Sequence, residues 1–188
     1  MNAVLTIPNV ISFLRLLAVP YFVWLLVWEK NFLSAAVLLF VIGATDWIDG
    51  WLARRLGQVS ELGKALDPVA DRLAVFAAVV GGWIVGVIPP VLAAALVLRE
   101  LVMAVATVLL TVRRRERVAV RPLGKWATFL LYGGIPAFYL AAVESFPAGL
   151  STFFEVGAWI FCVVGIVLYY VVGFQYLREI GARLRSPR

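Results

Sequence analysis

The sequence predicts an all-α membrane protein: six transmembrane helices in one bundle, with both termini in the cytoplasm. Three observations carry that prediction. First, 63% of the 188 residues are hydrophobic and only 15% are charged. Soluble domains carry about 45–50% apolar and about 25% charged residues. A 20.7 kDa globule with a mean hydropathy of +0.97 could not hide that much apolar surface from water. Second, six apolar runs approach the ~20 residues needed to cross a bilayer. Third, Lys and Arg gather in alternate loops.

The first run, Ile7 to Trp28, has no basic n-region before it, so it is expected to remain as a span and not to be cleaved as a signal peptide. Pro8 suits a first helical turn, and Pro20 is expected to kink the span. The second run, Phe32 to Leu56, and the third, Leu62 to Val87, each contain two aspartates in the motif region. The fourth, Val91 to Val112, is interrupted by Arg99-Glu100. The fifth runs from Leu123 to Val143 and the sixth from Phe153 to Leu177. No linker interrupts the series, so residues 1–188 are expected to form a single domain.

Arg54, Arg55 and Lys64 lie between spans two and three. Arg113, Arg114, Arg115, Arg117, Arg121 and Lys125 lie between spans four and five, and Arg178, Arg183, Arg185 and Arg188 follow span six. The opposite loops hold Lys30 alone. This bias places both termini and both basic loops in the cytoplasm. It also accounts for the net charge of +6 without a nucleic-acid partner. The run from Arg113 to Arg117 reads as a topogenic, lipid-facing loop, or as an electropositive funnel for an anionic substrate. Trp24, Trp28, Trp51, Trp83, Tyr169 and Tyr170 are expected at the membrane interfaces or in packing.

The chain has no histidine and one cysteine, Cys162. Histidine bases, histidine-bound zinc and Ser-His-Asp chemistry are therefore excluded. Cys162 reads as a small buried apolar residue. Chemistry must run on carboxylates, Arg, Lys, hydroxyls or a carboxylate-bound metal.

Four carboxylates stand out. Asp46 and Asp49 are spaced i,i+3 near the end of span two, and Asp67 and Asp71 are spaced i,i+4 near the start of span three. Each pair shares a helix face, and antiparallel helices would bring the pairs to similar depth. Ionisable residues in a membrane are costly and usually functional. Four carboxylates at one low-dielectric site repel one another unless some are protonated or a cation joins them. All-oxygen ligation suits Mg²⁺ or Mn²⁺. The competing reading is ion pairing with Arg54, Arg55, Lys64 and Arg72. Gly50, Ala53, Gly57 and Gly63 suit both close helix packing and the approach of a ligand to the backbone.

The run Asp46-Trp-Ile-Asp49-Gly50-Trp-Leu-Ala53-Arg54, eight residues, then Gly63-Lys-Ala-Leu-Asp67-Pro-Val-Ala-Asp71 resembles the CDP-alcohol phosphotransferase signature. That signature reads D-x-x-D-G-x-x-A-R, eight residues, G-x-x-x-D-x-x-x-D, and all eight fixed positions match. The motif covers 26 residues, and the six-span layout extends the likeness over most of the chain. The resemblance implies a six-helix membrane enzyme of the bacterial cytoplasmic membrane, commonly a homodimer, with its active site open to the cytoplasm. It implies transfer of a phosphoalcohol group from a CDP-alcohol to an acceptor hydroxyl with release of CMP. It further implies that Asp46, Asp49, Asp67 and Asp71 hold metal, expected to be two Mg²⁺ or Mn²⁺ ions. Asp49, Gly50, Ala53, Arg54, Gly63 and Asp67 would line the CDP site, and Asp71 would be the catalytic base.

Two further stretches narrow the resemblance. Ile7-Pro8-Asn9-Val10-Ile11-Ser12-Phe13-Leu14-Arg15 is similar to the opening of the bacterial glycerol-type branch, whose donor is CDP-diacylglycerol. Gly124-Lys125-Trp126-Ala127-Thr128 resembles a G-K-x-K-T stretch, followed by glutamine, in members that use glycerol 3-phosphate. Here Ala127 replaces the second lysine and Leu131 stands near the glutamine position. Losing a cation disfavours a doubly charged phosphomonoester. The expected acceptor is therefore phosphatidylglycerol, the product cardiolipin, with glycerol 3-phosphate as the alternative. Arg99, Arg121 and Lys125 are the expected acceptor contacts, although Arg99-Glu100 also reads as an intramembrane ion pair. A divalent-cation transporter is the non-enzyme alternative, but no internal repeat supports it.

Overall fold

The computed structural model describes the backbone of residues 7–56, 61–101 and 122–185, and the side chains of residues 10–45, 70, 72–101, 123–175 and 178. Six helices and no strand occur among the described residues. They are α1 (Ile7–Val27), α2 (Phe32–Leu56), α3 (Glu61–Ile84), α4 (described over 90–101), α5 (Pro122–Ala141) and α6 (Ala148–Arg185).

Local chemistry sets the boundaries. α1 continues unbroken through Pro20. It ends in a turn where Lys30 takes a positive φ of 49°. Asn31 then caps α2, its side-chain oxygen accepting a hydrogen bond from the Ser34 N–H at 3.0 Å. α3 stops at Ile84, three residues before the expected end of its apolar run, because Gly86 turns the chain at φ 77°. Pro90 then opens α4, a position where its missing N–H costs nothing. α6 begins five residues earlier than its apolar run suggests and extends for 38 residues. At 1.5 Å per residue that is about 57 Å, well beyond a ~30 Å hydrocarbon core.

Among the fully described helices, α5 packs most extensively on α6. α1 lies against both α2 and α3, α2 crosses α5, and α2 and α3 touch each other sparingly. The core joins Phe22 and Leu26 of α1, Leu39 of α2, Val79 of α3, Leu92 and Leu96 of α4, Tyr139 of α5 and Cys162 of α6. Burial of Cys162 agrees with its reading as a small core residue. The Tyr139 hydroxyl donates to the Ala78 carbonyl, tying α5 to α3.

Small residues set the closest approaches. A Cβ on Gly134 would stand 2.7 Å from Cys162 Sγ and 3.1 Å from the Cys162 backbone N. The second neighbour is backbone and cannot rotate away. Gly134→Val should therefore separate α5 from α6 and cost about 1–3 kcal/mol, as overpacked sites do. A lowered Tm in detergent would register it; an unchanged Tm would contradict the close contact.

The outer surface is apolar around the bundle. Leu14, Phe40, Phe76, Leu98, Phe129 and Phe174, one from each helix, are all exposed. Monomeric soluble proteins rarely present so much contiguous apolar surface. Among the described residues, two helices are long and apolar enough by themselves to cross a membrane, at Val10–Val27 and Ala148–Gln175. Shorter apolar stretches among the described residues are Phe32–Thr45 in α2 and Arg72–Ile84 in α3.

Candidate active site

The motif is helical on both sides of residues 57–60. Asp46, Asp49, Gly50, Ala53 and Arg54 lie in the C-terminal half of α2, while Gly63, Asp67 and Asp71 lie in the N-terminal half of α3. Gly57 falls outside the described residues, as do the side chains of all four aspartates and Arg54. A four-residue gap in the described backbone, 57–60, separates the helices. The two halves of the motif thus lie on consecutive helices, one at the C-terminal end of α2 and the other at the N-terminal end of α3.

Packing around the motif is close. A Cβ on Gly43, three residues before Asp46, would meet the Tyr132 ring at 2.6 Å, so α2 and α5 cross just where the acidic run begins. In α3, Ala70, Ala74 and Ala78 are buried at i,i+4 spacing. Ala74 and Val75 follow Asp71 by three and four residues in α3. Val75 lines a cavity of about 20 Å³ together with Leu39, Thr128, Leu131, Tyr132 and Tyr169. That is room for roughly one water.

The expected acceptor residues divide. Arg121 lies outside the described residues. Lys125 is exposed in the first turn of α5. Arg99 lies inside the bundle, its side chain only 12% accessible. Its Nη1 donates to Glu100 Oε1 at 2.6 Å, and its Cζ stands 3.3 Å from the centroid of the Tyr169 ring. The ion-pair reading of Arg99-Glu100 is therefore met in the structure, but the pair does not use the whole guanidinium. Arg99 Nε is buried and has no hydrogen-bond partner among the described residues.

Ala127 and Leu131, the positions that distinguish this chain from the G-K-x-K-T pattern, are both buried. They pack on α6: a Cβ on Gly165 would meet Leu131 Cγ at 3.1 Å and the Ala127 carbonyl at 3.3 Å. Ala127 is fully buried, so a lysine side chain there would have to open the surrounding packing. The α5 face that meets Gly165 at this level is closed and carries the apolar Leu131 side chain.

Two features were not legible in the sequence as anything more specific than packing. Tyr169 stacks on Arg99, and the Tyr170 hydroxyl donates to the Ala95 carbonyl at 2.8 Å. Their sequence signal was ambiguous because tyrosines near a span end usually mark a membrane interface. Ser12 and Arg15, noted in the N-terminal stretch, are buried at 1% and 3% exposure and both have interaction partners. Trp24, Trp28 and Trp83 are exposed, in keeping with interface or lipid contact.

Comparison with known proteins decides the family. The family model described as CDP-alcohol phosphatidyltransferase matches residues 5–171. The chain belongs to the CDP-alcohol phosphatidyltransferase family. It is 35% identical over 191 aligned residues to the cardiolipin synthase (CMP-forming) of Streptomyces coelicolor, covering 98% of this chain and 87% of that protein. It is 30% identical over 185 residues to the CDP-diacylglycerol–glycerol-3-phosphate 3-phosphatidyltransferase of Haemophilus influenzae, covering 92% and 91%. The Escherichia coli enzyme of the same name is 31% identical over 165 residues, covering 73% and 87%. Family membership makes this chain a phospholipid-synthesising transferase associated with the membrane, and displaces the transporter alternative.

Proposed function

We propose that the chain is a cardiolipin-forming phosphatidyltransferase. It moves the phosphatidyl group of CDP-diacylglycerol onto a free hydroxyl of phosphatidylglycerol and releases CMP. The observation that carries the choice of acceptor is the burial of Ala127 and Leu131 against α6. Where glycerol-3-phosphate users tend to carry Lys and Gln, this chain has a closed apolar contact. A phosphodiester lipid needs fewer donors than a phosphomonoester, and its acyl chains suit apolar helix faces. The whole-length similarity to the Streptomyces protein supports the same acceptor. The relatives named for glycerol 3-phosphate keep that acceptor as the second reading.

Roles follow from chemistry. Asp46, Asp49, Asp67 and Asp71 form an all-carboxylate donor set on two consecutive helices, which suits two hard cations, Mg²⁺ or Mn²⁺. Bound divalent cations there would neutralise the pyrophosphate and stabilise the CMP leaving group. Asp49, Gly50, Ala53, Arg54, Gly63 and Asp67 line the nucleotide site, the glycines and alanine leaving room and Arg54 offering a planar fork to phosphate. Asp71 takes the proton of the acceptor hydroxyl as its oxygen bonds to phosphorus and the bond to CMP breaks. Arg99, Arg121 and Lys125 hold the acceptor phosphate.

We place all six helices across the bacterial cytoplasmic membrane, with both termini and the motif on the cytoplasmic side. Exposed apolar residues on every helix and the loop charge bias support this. The working unit is a homodimer, as the family likeness suggests. Purified protein in detergent should release CMP from CDP-diacylglycerol when phosphatidylglycerol is supplied, and far more slowly with inositol, inositol phosphate or serine. CMP release that is indifferent to phosphatidylglycerol would refute the acceptor assignment.

A further inference from the structure

Arg99 is held by two constraints of different kind. The Tyr169 ring, 3.3 Å from its Cζ, restricts the tilt of the guanidinium plane. The 2.6 Å bond from Nη1 to Glu100 Oε1 restricts rotation within that plane. What remains is the edge carrying Nε, which is buried without a hydrogen-bond partner among the described residues. A buried donor with no acceptor is costly, more so when it carries charge. Nε and the second terminal nitrogen point the same way and form a side-on fork that matches two oxygens of one phosphate.

The surroundings relate this edge to the motif. Ala95 and Arg99 are spaced i,i+4 and share a face of α4, and the Tyr170 hydroxyl grips the Ala95 carbonyl at 2.8 Å. Adjacent tyrosines of α6 therefore hold the same face of α4, one through its backbone and one through its arginine. Tyr169 also borders the small cavity, together with Val75, one helical turn from Asp71, and Thr128, three residues after Lys125. The ring that carries the guanidinium thus also borders a cavity lined by α3, just past the last aspartate, and by α5, just past Lys125.

We propose that Tyr169 is a positioning residue for the acceptor: by stacking on Arg99 it aims the Nε edge at the phosphodiester of the incoming lipid. This rests on the reading of Arg99 as an acceptor contact. An arginine on a flexible stem could otherwise turn wholly toward Glu100 or toward water. The ring removes those alternatives before the lipid arrives, so its loss weakens acceptor binding without touching the nucleotide site.

The test is steady-state kinetics of the full-length protein in detergent, varying phosphatidylglycerol and CDP-diacylglycerol separately. Tyr169→Leu should raise the KM for phosphatidylglycerol by roughly five- to thirty-fold, the range of a partly desolvated cation–π contact. The KM for CDP-diacylglycerol should stay unchanged. Tyr169→Phe keeps the ring and should retain most of the phosphatidylglycerol affinity that the ringless variants lose. Tyr169→Met fills similar space without a ring and should reproduce Tyr169→Leu, which covers the case in which the leucine variant fails to fold. In an Arg99→Gln background, loss of the ring should have no further effect. A normal phosphatidylglycerol KM in the ringless variants, with a raised one in Arg99→Gln, would overturn the role of Tyr169 and leave that of Arg99 intact. A normal value in Arg99→Gln itself would overturn both.

Discussion

Treatment with EDTA should abolish transfer, and Mg²⁺ or Mn²⁺ should restore it. The four motif aspartates come from two consecutive helices, and no histidine or thiol cluster exists to bind a softer ion. Among the described residues there is no other group of acids or thiols able to hold a metal. Without cations, four carboxylates and the substrate pyrophosphate would be left to repel one another at one site. Asp46→Asn and Asp49→Asn should therefore weaken metal-dependent nucleotide binding as well as turnover, because an amide keeps the shape and loses the charge. Binding of CDP-diacylglycerol with and without added Mg²⁺ would check this. Full activity in metal-free buffer would contradict the role given to the cluster.

Asp71→Asn should lower kcat by about 10²–10⁴-fold, the usual contribution of a positioned general base. CDP-diacylglycerol binding should remain measurable, because three carboxylates of the set are intact. Single-turnover CMP release, compared with equilibrium binding of the donor, separates the two effects. Asp71 begins the stretch that leads through Val75 to the cavity beside Tyr169, so an acceptor hydroxyl near that cavity would be within about one helical turn of it. Near-normal turnover in Asp71→Asn would transfer the base role elsewhere.

The helical framework was legible because its signals are local. Apolar run length located the helices, while Asn31 before α2, Gly86 after α3 and Pro90 at the start of α4 set their ends and emerge only from the structure. The misplaced ends have physical causes. Ala148 to Thr152 is helical although Gly149 and Ser151 dilute its hydropathy, and α6 continues past Leu177 to Arg185 through a stretch without proline whose one glycine, Gly181, the helix tolerates. The aspartates were legible for another reason: charge in an apolar run needs an explanation, and the spacing supplied one.

Contacts between distant parts of the chain were not legible. Nothing in the sequence joins Arg99 to Tyr169, 70 positions later, or Gly43 to Tyr132. A tyrosine beside a span end reads the same whether it meets headgroups or a guanidinium. Ala127 was recognised as a missing lysine, but only the packing of α5 on α6 shows that the position is closed.

The most direct test of the central claim is product analysis with both acceptors in one vessel. Purified protein is given CDP-diacylglycerol, Mg²⁺, phosphatidylglycerol and glycerol 3-phosphate together, and the lipids are resolved by mass spectrometry while CMP is counted. The account predicts cardiolipin as the dominant new lipid, one CMP released for each, and a marked fall in that product in Arg99→Gln. Phosphatidylglycerophosphate as the dominant product would contradict it, and would show that the closed apolar contact at Ala127 and Leu131 does not select the acceptor.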